Sequence, residues 1–295
     1  MTDPAARDRL WIVGAGRLGL ALGLRLHRAH AVEALVYSGR REHAPDHPLF
    51  RDPGPIARYH PGLAPVPDRL TGLLIAVPDG AITDVVAALA KAGLDPAVPV
   101  LHASGSRSLD LLAPLAERGH AVGGLHALAA IADPVEGADR LHGATFGVEG
   151  GGAARDLALR LVAACGGRPL AIRPGGKALY HAAAVFASNY AVALLSVAER
   201  LMAQAGVEEE DAGPALAALA AGAVENVAAR GPAAALTGPV ARGDVETVAL
   251  HLARLSGADR SLYSLLGREA LALAEARGLD AGAAERLESL LSEAE

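Results

Sequence analysis

Gly14-Ala15-Gly16-Arg17-Leu18-Gly19 has the spacing G-x-G-x-x-G. It follows an apolar run at residues 10–13 and opens a helical pattern, the setting in which this spacing serves a dinucleotide. Gly14 makes the tight turn, Gly16 lets backbone approach a pyrophosphate, and Gly19 lets the helix pack on the strand. The uncapped N–H groups around Arg17 and Leu18, at the positive end of the helix dipole, are aimed at phosphate. Chains that bind NAD place an acid about 20 residues further on, for the ribose hydroxyls. Here that position reads Tyr37-Ser38-Gly39-Arg40-Arg41. A hydroxyl at Ser38 and guanidinium groups at Arg40 and Arg41 suit the 2′-phosphate of NADP(H), which arginine can grip with two donors.

The second chemical signal is a lysine. Of the 27 basic residues only Lys91 and Lys177 are lysines. Arginine stays protonated at any working pH, whereas the pKa of a lysine can be tuned by its site. Lys177 opens a long uncharged run, residues 178–198, within which His181 lies one turn on and Ser188 on the same stripe. Asn189 lies on a neighbouring face. A polar stripe on an otherwise apolar helix must be satisfied or line a cavity. A lysine at the mouth of such a cavity is placed to give a proton to a carbonyl oxygen as hydride arrives. Further on, Leu236-Thr237-Gly238-Pro239 is a tight turn that presents the Thr237 hydroxyl, and Asp244 is a good N-cap for the helix it precedes.

These groups need positioning elements. Strand patterns at residues 10–13, 32–37, 73–77, 98–102, 121–126, 145–148 and 169–172 alternate with helical patterns at 18–28, 81–91, 109–118 and 153–164. Such alternation implies an α/β domain with a mostly parallel sheet covered on both faces. Ligands of such sheets lie at the carboxyl edge of the strands. Val77, Pro78 and Asp79 end one strand there, and His102, Ser104 and Gly105 end another. Residues 43–69 hold seven prolines and predict a long loop where a crossover helix would otherwise stand. From residue 175 onward nearly everything has helical periodicity, so residues 1–174 read as a dinucleotide-binding domain and 175–295 as an all-α domain. The run at 178–198 is long enough to span a bilayer, but Tyr180, His181, Ser188 and Asn189 and its alanine richness predict a buried central helix instead.

Composition excludes several classes. In 295 residues, 52% are apolar and 20% charged, which excludes a disordered chain. Net charge is −6 and aromatics are 3%, which argues against nucleic acid and against an anionic membrane surface. The single cysteine, Cys165, allows no internal disulfide or multi-cysteine metal site, and no metal is expected. A reducing, cytoplasmic setting follows.

Taken together, Gly14 to Gly19, Leu101-His102-Ala103-Ser104-Gly105, Gly124-Leu125-His126, the run from Lys177 through Tyr180-His181 to Ser188-Asn189, and Leu236-Thr237-Gly238-Pro239-Val240-Ala241-Arg242-Gly243-Asp244 resemble the bacterial family that joins a Rossmann-like domain to a DUF2520 domain. The chain departs from that family at His126-Ala127, where His-Pro is common. The family resembles a larger group with a helical C-terminal domain like that of 6-phosphogluconate dehydrogenase, including ketopantoate reductases, pyrroline-5-carboxylate reductases and β-hydroxyacid dehydrogenases. Ketopantoate reductases and β-hydroxyacid dehydrogenases carry a catalytic lysine matched by Lys177, with His181 standing where their asparagine would be. The resemblance implies an NADP-dependent oxidoreductase acting on a small molecule, ketopantoate-like 2-keto acids first, with Lys177, His181, Asn189 and Thr237 around the substrate. It also implies a homodimer through the helical domain. Imine reduction of the pyrroline-5-carboxylate type and a non-catalytic NADP-binding regulator are the alternatives.

Overall fold

The computed structural model describes residues 7–51 and 57–292. The chain divides into two compact units, Met1–Asn189 and Tyr190–Glu295.

The first unit is built on an eight-stranded sheet. Its strands are β1 (Asp8–Val13), β2 (Val32–Gly39), β3 (Ala57–Pro61), β4 (Gly72–Ile75), β5 (Val100–His102), β6 (Val122–Ala127), β7 (Thr145–Gly150) and β8 (Arg168–Ala171). The order is β3-β2-β1-β4-β5-β6-β7-β8. All neighbours are parallel except β6 and β7, which run antiparallel with His126 opposite Gly147. The helices of this unit are α1 (Arg17–Arg28), α2 (Pro48–Arg51), α3 (Ile82–Leu89), α4 (Ala113–Ala116), α5 (Pro134–Arg140), α6 (Gly152–Ala164) and α7 (Lys177–Ala187).

The period of two along β1 divides the core. Leu10 and Ile12 point to one face, where Leu20, Leu24, Leu157 and Leu161 of α1 and α6 cover them. Trp11 and Val13 point to the other, against Ile82, Val86 and Leu89 of α3. Both faces are dry, so the parallel strands read as unbroken apolar runs.

Three elements differ from the sequence expectation. The proline-rich stretch holds the edge strand β3 and the short α2 rather than a loop throughout; Pro53 and Pro55 lie outside the described residues. Pro61 ends β3 at the rim of the sheet, where a missing N–H costs no ladder bond. The helix expected at 109–118 is a 3₁₀ turn, Leu109–Leu112, followed by the single turn α4. The uncharged run breaks at Ser188, whose φ of −124° and ψ of −73° interrupt the helix between α7 and α8 (Asn189–Gln204).

That run is also not the buried helix its composition predicts. Leu179 is 79% exposed, Phe186 68% and Val192 68%.

The second unit is helical, with most of α8, then α9 (Glu209–Arg230), α10 (Pro232–Ala235), α11 (Pro239–Arg242), α12 (Val245–Arg254), α13 (Gly257–Glu275) and α14 (Ala281–Ser292). Val248, Leu252, Leu271, Leu287 and Leu291 form its core. Asp244 caps α12 as expected, accepting from the Thr247 N–H at 3.1 Å. By length and composition, Lys177–Gln204 and Glu209–Arg230 are long and apolar enough to cross a membrane.

Candidate active site

The glycine loop is shaped by backbone sterics. Gly14 has a φ of +121°, and a Cβ there would lie 2.2 Å from the carbonyl oxygen of Ala76. Its N–H donates to the Ser38 carbonyl at 2.8 Å, tying the loop to β2. A Cβ on Gly19 would lie 2.2 Å from the Gly14 carbonyl oxygen, so α1 can close on the loop only with glycine there. Ala15 and Leu18 pack against the core. Gly16 differs: nothing lies within 4 Å of its Cβ position. It precedes α1 in extended conformation, no side chain caps the helix, and the first turn holds no acid. Gly16 and Arg17 are exposed. Open space beside uncapped N–H groups fits a pyrophosphate.

At the end of β2 the expected set divides. Arg40 and Arg41 are exposed, and among the described residues no carboxylate pairs with either. Ser38 does not join them. It is buried, and its Oγ accepts from Trp11 Nε1 and from the Ala64 N–H, both at 2.9 Å. The period of two turns Ser38 inward, so it braces β1 and the segment after β3 instead of facing a phosphate.

Parallel strands bring Gly14, Val77, His102 and His126 to one carboxyl edge. Beyond β4, Pro78 is exposed and Val77 and Asp79 half-buried. Asp79 Oδ2 accepts from Ser106 Oγ at 2.6 Å and faces Arg107 Nε at 3.9 Å. Burial raises its pKa, but the hydrogen bonds from Ser106 and Ser104 and the nearby charge of Arg107 outweigh that and hold it below the usual carboxylate value. Ser104 Oγ accepts from the Arg107 N–H at 3.0 Å. His102 is fully buried, with Nδ1 accepting from the Ser104 N–H at 3.2 Å. Its Nε2 is buried without a partner. Burial, then the charge of Lys177, pushes the His102 pKa down to about 4.

Lys177 begins α7, but it does not sit at a cavity mouth. It is 3% exposed, and its Nζ donates to Glu149 Oε2 on β7 at 2.5 Å. The pair packs on Gly124 of β6, where a Cβ would be 2.9 Å from Nζ. The cavity expected at the lysine instead lies further along α7. It measures about 630 Å³ and is lined by His126, Tyr180, His181, Ser188 and Asn189 among alanines, Val185, Leu128 and Leu170. His126 Nδ1 is 2.9 Å from Tyr180 Oη. The rings of His126 and His181 meet edge to face with centroids 5.7 Å apart. Both press on Gly105: its Cβ position is 2.6 Å from His126 Nε2 and 2.6 Å from His181 Nδ1. His181 Nδ1 is buried without a protein partner. Burial, then the charges of His181 and Lys177, pushes the His126 pKa down to about 4, and burial raises the Tyr180 phenol to about 12.

The structure therefore brings His181 and Asn189 together with His126 and Tyr180, and leaves Lys177 outside the lining. Thr237 is exposed in the second unit, in the turn between α10 and α11. Glu149 and Gly147 were not singled out from sequence, and Gly124 and Tyr180 entered only as members of the family stretches, with no role in the site. A Cβ on Gly147 would be 2.6 Å from Tyr180 Oη, so that strand position admits the phenol only as glycine. The lone acid in the otherwise apolar β7 was the available signal for Glu149.

The neutral imidazoles make stability pH-dependent. His102 and His126 titrate near 4 when folded against 6.5 when unfolded, so the unfolded chain takes up protons that the folded chain refuses. Stability is therefore full above pH 6.5 and falls as pH drops towards 4, at up to about 1.4 kcal/mol per unit for each histidine. The urea midpoint should be lower at pH 5 than at pH 7.5, and a His126→Gln variant should show a shallower fall.

The fold and this edge define a Rossmann-type protein with a helical second part. The sequence matches the Rossmann-like domain over residues 3–127 and the domain of unknown function DUF2520 over residues 144–270, and the chain belongs to the family that joins them. Protein TM1727 from Thermotoga maritima is similar in structure, with a TM-score of 0.70 at 22% identity over 91% of this chain and 99% of its own. BF3122 from Bacteroides fragilis, provisionally described as an NADP oxidoreductase, gives 0.68 at 20% identity, covering 90% of this chain and 98% of its own. Pyrroline carboxylate reductase from Plasmodium falciparum, solved with NADP bound, gives 0.58 at 13% identity, covering 96% and 98%. Among curated proteins none matches this sequence.

Proposed function

We propose that this chain is an NADPH-dependent reductase of a C=O or C=N bond in a small molecule. The observation that carries the reading is the cavity at the carboxyl edge, where His126 and His181 converge on Gly105 and Tyr180 packs on Gly147 beside them, in the same unit as the glycine loop. The likeness in fold to proteins described as NADP oxidoreductases and as a pyrroline carboxylate reductase supports it.

The pyrophosphate would lie on Gly14–Gly19 and the 2′-phosphate at Arg40 and Arg41. The nicotinamide, when bound, supplies the hydride. The chain's own residues hold the substrate and its proton. The Gly147 backbone hydrogen-bonds the phenol of Tyr180, which stays protonated and gives its hydrogen to His126 Nδ1. That fixes His126 as the neutral tautomer with Nε2–H turned to the cavity. His126 would pass its Nε2 proton to the substrate oxygen or nitrogen as its Nδ1 takes the Tyr180 proton, which solvent restores, while His181 packs edge to face on the His126 ring and holds it in place. Lys177, sealed by Glu149, orients the strand ends rather than meeting substrate. The resemblance put ketopantoate first on the strength of that lysine; with Lys177 paired to Glu149, a keto acid and an imine stand level as substrates of this reading.

The test is NADPH consumption at 340 nm over a panel of ketones, imines and keto acids, with Tyr180→Phe alongside. Turnover that drops about 10- to 100-fold in the variant is expected. Turnover unchanged in Tyr180→Phe would remove the His126–Tyr180 pair from the mechanism.

A further inference from the structure

We propose that the substrate carries no carboxylate: the cavity takes an apolar carbonyl compound or imine and rejects the matching keto acid. The inference rests on the reductase reading above and narrows its substrate class.

Among the described residues, no arginine, lysine, aspartate or glutamate lines the cavity. Its polar groups are His126, Tyr180 and His181 and, about two turns further along α7, Ser188 and Asn189 at the break before α8. The remaining wall is aliphatic, including Leu128 and Leu170. An ionised carboxylate leaving water needs a paired cation or several converging donors. The charges around the cavity do not supply one. Lys177 is consumed by Glu149 in a buried pair of no net charge. Arg107 is turned to Asp79, and Asp79 itself is an anion held ionised by Ser106 and Ser104. His126 and His102 are neutral above pH 5. A carboxylate at the histidine end would therefore meet the Asp79 anion and, among the described residues, no arginine or lysine free to pair with it. A neutral C=O or C=N needs only one or two hydrogen bonds, which His126 can supply, and an apolar body gains from the aliphatic wall.

The volume agrees. About 630 Å³ exceeds the room that a keto acid of a few carbons fills, so a compact acid would leave much of the wall wet. A bulkier apolar body fills it.

A matched pair isolates the charge: ethyl 2-oxopentanoate and 2-oxopentanoate share the reacting carbonyl and differ in the carboxyl group. Each is titrated calorimetrically into the whole protein, alone and saturated with NADP⁺, and each is offered with NADPH. The ester should bind at least about 10-fold more tightly than the acid. Ala184→Arg, which adds a cation to the cavity wall, should narrow or reverse the ratio. Equal or tighter binding of the acid to the unaltered protein overturns the proposal, and so does failure of both to bind. Binding of the ester without NADPH consumption leaves the carboxylate inference standing and removes the reductase reading instead.

Discussion

Replacing Lys177 with alanine is expected to cost about 3–5 kcal/mol of stability, because it leaves Glu149 buried beside an empty site with no counter-charge. The pair is dry, with Lys177 3% exposed and its Nζ 2.5 Å from Glu149 Oε2. Breaking one side of such a pair is costlier than removing both. A double change, Lys177→Met with Glu149→Leu, should therefore recover most of the loss. Lys177→Arg should also destabilise. Nζ lies 2.9 Å from where a Cβ on Gly124 would stand, so a planar guanidinium has no room against β6. This explains why a chain that uses arginine almost everywhere keeps lysine at position 177. Urea denaturation of the three variants checks the account. A Lys177→Ala protein as stable as the parent would mean that the lysine is not locked to Glu149.

The glycine loop supplies the second large effect, as a contrast between two substitutions. Gly14→Ala forces a side chain into a backbone conformation at φ +121°, 2.2 Å from a carbonyl oxygen. Strain of about 1–3 kcal/mol adds to overpacking of about 1–3 kcal/mol, and the displaced loop should lose NADPH as well. Gly16→Ala meets nothing within 4 Å and has an ordinary φ of −93°. Its stability should stay within about 0.5 kcal/mol of the parent, while NADPH affinity falls about 10-fold or more because the methyl stands where phosphate approaches. Thermal melts and NADPH titration of both proteins separate the roles. A Gly16→Ala protein with unchanged affinity would place the pyrophosphate elsewhere.

The two parts of the site differed in how far sequence could reach them. The glycine loop was legible because its demands are local: a turn, a close approach and a helix start within six residues. The alternation of strands and helices was legible for the same reason. Ser38 was misplaced because its neighbours in sequence suggest a loop tip, while the strand period turns it inward to Trp11. The Lys177–Glu149 and His126–Tyr180 contacts join residues 28 and 54 positions apart, and no local pattern announces them. Gly105, Gly124 and Gly147 matter for what packs on them, which only the fold reveals. The exposed faces of α7 and α8 show a further limit. Composition says that a residue is apolar, not that it is buried.

The most direct test of the account is a calorimetric titration of the unaltered protein with NADPH and, separately, with NADH. The account predicts one NADPH site per chain, with NADH at least about 10-fold weaker because it lacks the phosphate that Arg40 and Arg41 would hold. Binding of neither nucleotide, or tighter binding of NADH, would contradict it.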